Sequence, residues 1–151
     1  MAKELKKRSE QRTEDTWDLT AIYKDEAAFD ADVKKMEDII KDIAGREGKL
    51  CESGKTLKEY FELDEELNQI AERAFNYVQR MADQDTKNTE NQAKRMKLSS
   101  RYSELASTIA FVEPELLAGL LFIYRQYLAA DRVARDHGIG VFEVGLCRLD
   151  R

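Results

Sequence analysis

Four carboxylates crowd a short stretch of the chain: Glu62, Asp64, Glu65 and Glu66. Paired carboxylates can divide acid and base work between them when apolar surroundings raise one pKa above the other. Nothing in the flanking sequence supplies such surroundings, so a solvated acidic helix face is expected. Asp83, Asp85, Thr86 and Asn88 are spaced somewhat like the oxygen ligands of a calcium loop. The central Gly and the terminal bidentate Glu of that pattern are missing, so this segment is expected to turn the chain and cap a following helix. Gly54-Lys55-Thr56 matches the end of a phosphate-binding loop, but the position that should hold its first Gly is Lys49, and no Walker motif exists. Cys51 and Cys147 stand far apart with no CxxC pair, which favours reduced, incidental thiols. His137 is the single histidine. It can satisfy neither a zinc site that needs two or three closely spaced ligands nor, in a Gly-rich tail, an oriented triad. No catalytic and no metal-ligating residue is assigned to this chain.

The elements that would have to position any chemistry are helical. The chain has 151 residues, 36% of them charged and 42% hydrophobic, with a formal net charge of −5. The pI is near 5.1 and the mean hydropathy −0.62. This length can hold one domain with a real core, or one segment of a larger protein. Seven Gly and one Pro argue against an all-β or disordered chain. The longest continuous apolar run, residues 116–124, contains Gly119 and falls well short of the ~18 residues of a membrane span, so no membrane partner is expected. The N-terminus lacks the apolar core of a signal peptide, and a cytoplasmic address is the default expectation. Lys3, Lys6, Lys7, Arg8 and Arg12 make the first residues locally basic, but the chain as a whole has 30 acidic against 25 basic residues. Residues 1–15 are expected to be a flexible charged tail, and nucleic acid is not an expected partner.

Three apolar stripes follow. Residues 26–44 carry Phe29, Val33, Met36, Ile40 and Ile43 at alternating steps of four and three, with Asp25 as N-cap and Gly45 as the C′ residue. A loop through Gly48 and Gly54 leads to a second helix, expected from Thr56 to about Asp83. Thr56 and Glu59 have capping-box spacing there, and Leu63, Leu67, Ile70, Ala74, Tyr77 and Met81 form the stripe. Leu57, Tyr60 and Phe61 run slightly out of phase, which allows a bend near residues 62–64. A third helix is expected from Thr89, with Leu98, Tyr102, Leu105, Ile109 and Val112 as its stripe, and Pro114 either interrupts it or opens a new helix. The expected fold is all-α: an antiparallel bundle of three to four helices, an extended N-terminal strap, and a poorly ordered C-terminal tail. A self-associating coiled coil is the alternative, because each stripe also satisfies a heptad.

The chain changes character after about Ala118. Every lysine lies at or before Lys97, and four of the seven glycines are Gly119, Gly138, Gly140 and Gly145. Residues 120–134 fit a helix through Leu121, Tyr124 and Leu128. Residues 138–145 read as a strand with no partner, which is not stable alone. The divisions read from the sequence are 1–15, 16–118 and 119–151.

Thr16-Trp17-Asp18-Leu19-Thr20, with Ile22-Tyr23 after it, resembles the N-terminal signature of oligoendopeptidase F, a bacterial zinc metallopeptidase of the thimet-oligopeptidase type. Asp83-Gln84-Asp85-Thr86-Lys87-Asn88 resembles that family's acidic turn between two helices. Phe111-Val112-Glu113-Pro114-Glu115-Leu116 resembles its Phe-x-Glu-Pro-Glu-Leu segment. The signature positions are thus Trp17, Asp18, Leu19, Thr20, Tyr23, Asp83, Asp85, Thr86, Asn88, Phe111, Glu113, Pro114 and Glu115, all structural.

The resemblance implies a helical wall of a channel that admits short peptides. The family's zinc sits on an HExxH helix with a further Glu, and no HExxH occurs in these 151 residues. The expectation is an N-terminal, truncated or frameshifted portion that is inactive alone, binds no zinc itself, and meets oligopeptides only beside a catalytic domain. The competing expectation is a non-enzymatic helical interaction module. A bundle cut from its parent would expose apolar surface that favours self-association, with Trp17, Tyr23, Tyr60 and residues 116–124 as the candidate patch.

Overall fold

The computed structural model describes residues 11–136; the expected lone strand, His137 and Cys147 lie outside them. Two 3₁₀ turns, Thr13–Asp15 and Leu19–Ala21, precede four helices: α1 (Glu26–Ala44), α2 (Gly54–Gln84), α3 (Thr89–Ser107) and α4 (Val112–Asp136). No strand is present among the described residues. The all-α expectation holds. The N-terminal strap is not simply extended: Asp18 caps its second turn by accepting a hydrogen bond from the Thr20 amide.

Helix boundaries follow from caps. The Asp25 side chain accepts from the Ala28 amide and opens α1 where expected. At the other end, Gly45 stays right-handed at φ −68°, so it is not the left-handed terminator that its type suggested. The left-handed position is Gly48, φ 76°, three residues on. α2 starts two residues earlier than its Thr56–Glu59 spacing implied, because Ser53 is the N-cap and accepts from the Thr56 amide at 3.1 Å. Thr56 contributes its amide and hydroxyl to that cap instead of forming one. From there α2 runs unbroken for 31 residues through the out-of-phase region. Asn88 caps α3 by accepting from the Glu90 and Asn91 amides.

Side-chain pairs give the helix directions. Between α1 and α2, Asp32 pairs with Arg73, Lys35 with Glu66 and the preceding turn's Arg46 with Glu59, numbers rising on one side as they fall on the other. Between α2 and α3, Phe75 stacks edge-on with Tyr102, Gln79 accepts from Arg95 and the Ala82 carbonyl accepts from Gln92. Both interfaces are antiparallel. α1 and α3 run the same way, as Glu26–Lys94 and Glu37–Arg101 show. Short connections and amphipathic stripes produce this arrangement.

The core is the merged stripe of the first three helices. Met36, Ile40, Ile43 and Val78 are fully buried, as is Leu50 from the loop between α1 and α2, and Phe29, Leu67, Ile70, Ala74, Leu98 and Leu105 join them. The stripe positions were legible as a period; Leu50 was not, because it lies in a loop.

α4 departs from the pattern. It touches the rest through its first two turns, where Val112 and Leu116 pack on the core and the Glu115 carboxylate accepts from the Gly48 and Leu50 amides at 2.8 and 2.7 Å. It then continues as one helix through position 118, where the composition changes. Pro114 sits in its first turn, where a missing amide costs nothing. Gly119 lies so close to Cys51 that a Cβ built on it would be 2.4 Å from Sγ. Gly119→Ala should therefore push residues 48–51 away from α4. The close contact costs about 1–3 kcal/mol and outweighs the ~1 kcal/mol helix-propensity gain of Ala. Hydrogen exchange at the Gly48 and Leu50 amides should accelerate roughly tenfold for a net loss near 1.4 kcal/mol, and Cys51→Gly should restore protection in the double variant. Unchanged exchange in Gly119→Ala would show that the contact is not required.

Candidate functional site

The signature residues gather at the two ends of the bundle. At the end formed by the start of α1 and the end of α2, the strap and the acidic turn meet. Gln84 donates to the Trp17 carbonyl at 3.2 Å, and the Arg80 guanidinium lies 5.4 Å from the Trp17 ring centroid. Trp17 itself remains 58% exposed, bordering a shallow hollow of about 250 Å³ with Asp83 and Gln84. Asp18 accepts from both the Thr20 hydroxyl and amide, which holds its carboxyl below the usual range. In the turn, Asp83 accepts from Gln79, Asp85 from the Lys87 amide, and Thr86 is exposed. Their oxygens serve the backbone and a neighbouring amide side chain rather than converging on a common point.

Phe111, Glu113, Pro114 and Glu115 lie at the opposite end, where α3 gives way to α4. Phe111 packs on the core, Glu113 and Pro114 are exposed, and Glu115 clamps the loop between α1 and α2. The structure thus brings the first two motifs together and keeps the third apart. The acidic run on α2 behaves as a solvated face: Glu62 pairs with Lys58, Asp64 accepts from Asn68, Glu65 from Gln69, and Glu66 pairs with Lys35.

Tyr23 is the most tightly held signature residue, and placing it on an exposed apolar patch was wrong. It is 5% exposed, packed edge-on against Phe29 and Tyr77 with ring centroids 5.6 and 5.2 Å away, and its hydroxyl donates to Asp32 at 2.8 Å. Burial, followed by the Asp32 hydrogen bond, pushes its pKa up to about 12. Tyr60 is likewise buried, by the same apolar logic. Of the expected patch, Trp17, Leu117, Leu120, Leu121, Phe122, Ile123 and Tyr124 are exposed.

A groove missed by the sequence reading runs between α1 and α3, about 650 Å³ in volume. Phe29, Val33 and Leu98 floor it, with Glu26 and Glu37 on one rim and Lys94 and Arg101 on the other. The signal was present as opposite charges on the two helices, but only the parallel direction of α1 and α3 juxtaposes them.

The zinc implied by the resemblance does not fit these residues. Among the described residues no three His, Cys, Asp or Glu side chains are grouped to hold an ion. With one histidine in the sequence, the two-histidine helix cannot be built. One property emerges only from averaging: within Thr89–Ala130 an 18-residue window reaches a mean hydropathy of 1.6, unburied, although no continuous run approached a span. By length and composition alone this stretch could cross a membrane.

Comparison with known proteins finds curated oligopeptidases. It is 30% identical over 117 residues to the oligopeptidase PepF of Bacillus subtilis, covering 78% of this chain and 18% of that protein. It is 30% identical over 101 residues to the group B oligopeptidase PepB of Streptococcus agalactiae, covering 67% and 17%. It is 28% identical over 124 residues to an oligoendopeptidase F homologue of Lactococcus lactis, covering 82% and 21%. The chain is a relative of oligoendopeptidase F, and it spans about a fifth of the length of these curated proteins. No family profile and no solved structure matches it.

The raised Tyr23 pKa sets a pH dependence. A phenol whose folded pKa lies above its unfolded value of 10 stabilises the fold fully below pH 10, and that contribution disappears as pH rises through about 12. Urea unfolding should show stability falling between pH 10 and 12. Tyr23→Phe should cost about 1 kcal/mol at pH 7 through the lost Asp32 hydrogen bond and should flatten part of the alkaline fall. Tyr60 and Tyr77, also raised by burial, retain the remainder. An alkaline profile identical in the wild type and Tyr23→Phe would refute the assignment.

Proposed function

We propose that this bundle is the N-terminal helical portion of the channel wall in an oligoendopeptidase F-like zinc metallopeptidase that hydrolyses short peptides, and that the chain alone is inactive and cytoplasmic. The observation that carries the reading is the coincidence of similarity and geometry. The relatives bear oligopeptidase names, and the signature residues brace the two ends of one bundle instead of converging on a reaction centre. Tyr23 locks the strap to α1 and α2, while Glu115 locks the loop to α4. Such residues serve position, and position is what a wall requires.

Zinc chemistry in this reading belongs to residues that these 151 do not contain, and no step is assigned to the present side chains. A second reading, a non-enzymatic interaction module, draws on the unburied apolar surface of α4.

A chimaera separates the two. The segment of the Bacillus subtilis relative that matches this chain is replaced by the corresponding residues of this chain and assayed on quenched-fluorescent oligopeptides with zinc. The wall reading expects the chimaera to cleave oligopeptides and to spare folded protein. It expects the 151-residue chain alone to turn over nothing and retain no zinc after gel filtration. A soluble, folded chimaera without peptidase activity, or metal-dependent cleavage co-eluting with the chain alone, would overturn it.

A further inference from the structure

The groove between α1 and α3 is bridged at both ends and open in its middle. Glu26 pairs with Lys94 across one end, and Glu37 with Arg101 across the other. Asp30 and Lys97 fall between these two bridges, and both line the groove. At about 1.5 Å per residue they stand roughly 6 and 4.5 Å past the first bridge on their own helices, so they are nearly level. They are opposite in charge and both are exposed, yet they do not pair with each other. Neither side chain has a partner among the described residues. The floor beneath them is apolar: Phe29 and Leu98 are buried and Val33 is half-buried. The volume, about 650 Å³, lies within the roughly 300–1,000 Å³ of ligand pockets.

Such a groove sorts ligands by their polarity. An anion meets the acidic rim of α1 and a polycation meets the basic rim of α3, so neither is matched. An unpaired carboxylate accepts hydrogen bonds and an unpaired ammonium donates them. What fits between the two is an uncharged group with a donor on one side, an acceptor on the other and apolar surface beside it. A peptide amide next to an aliphatic side chain has that pattern. Its N–H faces Asp30, its carbonyl faces Lys97, and its side chain covers Phe29, Val33 and Leu98.

We propose that the middle of the α1–α3 groove binds short apolar peptides, with Asp30 and Lys97 on opposite sides of one amide. The choice of a peptide among amide-bearing ligands rests on the channel-wall reading.

Amide-resolved NMR titration of the 151-residue chain with acetyl-leucyl-leucinamide, an uncharged probe, is the test. The expected result is a set of saturable shifts confined to residues 26–37 and 93–104. Asp30→Ala and Lys97→Ala should each weaken binding roughly tenfold, the worth of a hydrogen bond to a charged group. Both positions are exposed, so circular dichroism should not change. An ester in place of the probe's central amide removes the donor. It should weaken binding to the same extent in the wild type and little further in Asp30→Ala. Absence of saturable shifts, shifts that gather on α4 instead, or an ester bound as tightly as the amide would overturn the proposal.

The chimaera with the Bacillus subtilis relative separates this site from the reading it deepens. In a chimaera that cleaves oligopeptides, Asp30→Ala and Lys97→Ala should raise KM several-fold and hold kcat, because binding lost equally from ground and transition states appears in KM alone. An active chimaera with KM unmoved overturns the site and leaves the wall reading standing. An inactive, folded chimaera overturns the wall reading, and the titration of the chain still decides the site.

Discussion

One junction of aromatic rings and charges holds the strap and three helices in register. Tyr23 from the strap meets Phe29 of α1 and Tyr77 of α2 edge-on, and Phe29 and Tyr77 lie tilted against each other, all with centroids within 5.6 Å. The Arg73 guanidinium lies 5.3 Å from the Tyr23 centroid and pairs with Asp32, which also accepts the Tyr23 hydroxyl. The ammonium of Lys94 on α3 sits 4.4 Å from the Phe29 centroid and pairs with Glu26 at the start of α1. Each ion pair alone would be worth little at a surface. Here the same cations face aromatic rings whose burial is already favourable, so charge and apolar area reinforce one geometry. The direction of α1 along α3, and with it the groove between them, follows from this end of the bundle.

The helical fold was legible because its signal is periodic and local. Phe29, Met36, Ile40 and Ile43 on α1, and Leu67, Ile70, Ala74 and Tyr77 on α2, step by three and four in the sequence and are buried together in the structure. The cap of α1 was legible at Asp25, and that of α3 only as a property of the segment 83–88, within which the cap is Asn88. Ser53 was overlooked because Thr56, also hydroxyl-bearing, offered a competing capping box three residues on. A cap is decided by which side chain reaches a free amide, and spacing alone cannot rank two candidates.

Long-range contacts were illegible for a different reason. Glu115 reaches amides 67 and 65 residues earlier in the chain, and Gly119 takes its meaning from the sulfur of Cys51. Neither residue type announces such a partner. Tyr23 and Tyr60 illustrate the converse error. Both lie outside or ahead of the regular stripes, and aromatic residues off a stripe read as surface. Tyr23 is in fact drawn into the core because Asp32 satisfies its hydroxyl. A tyrosine near the edge of a bundle can bury its ring at low cost when a single acceptor waits for it.

α4 shows how the same physics leaves a surface unsatisfied. The first three helices each have a stripe and a neighbour for it. α4 is apolar nearly all round past Leu116; Glu115, Gly119 and Leu116 fix its start on the bundle, and Leu117, Leu120, Leu121, Phe122 and Ile123 stay exposed. Rolling the helix inward would break two charge-assisted hydrogen bonds to backbone amides, at about 1.5–3 kcal/mol each, and would drive side chains into Cys51 where only Gly119 fits. Among the described residues nothing packs on α4 beyond Gly119, and turning its apolar side chains toward the bundle would give up the clamp that orders the loop between α1 and α2.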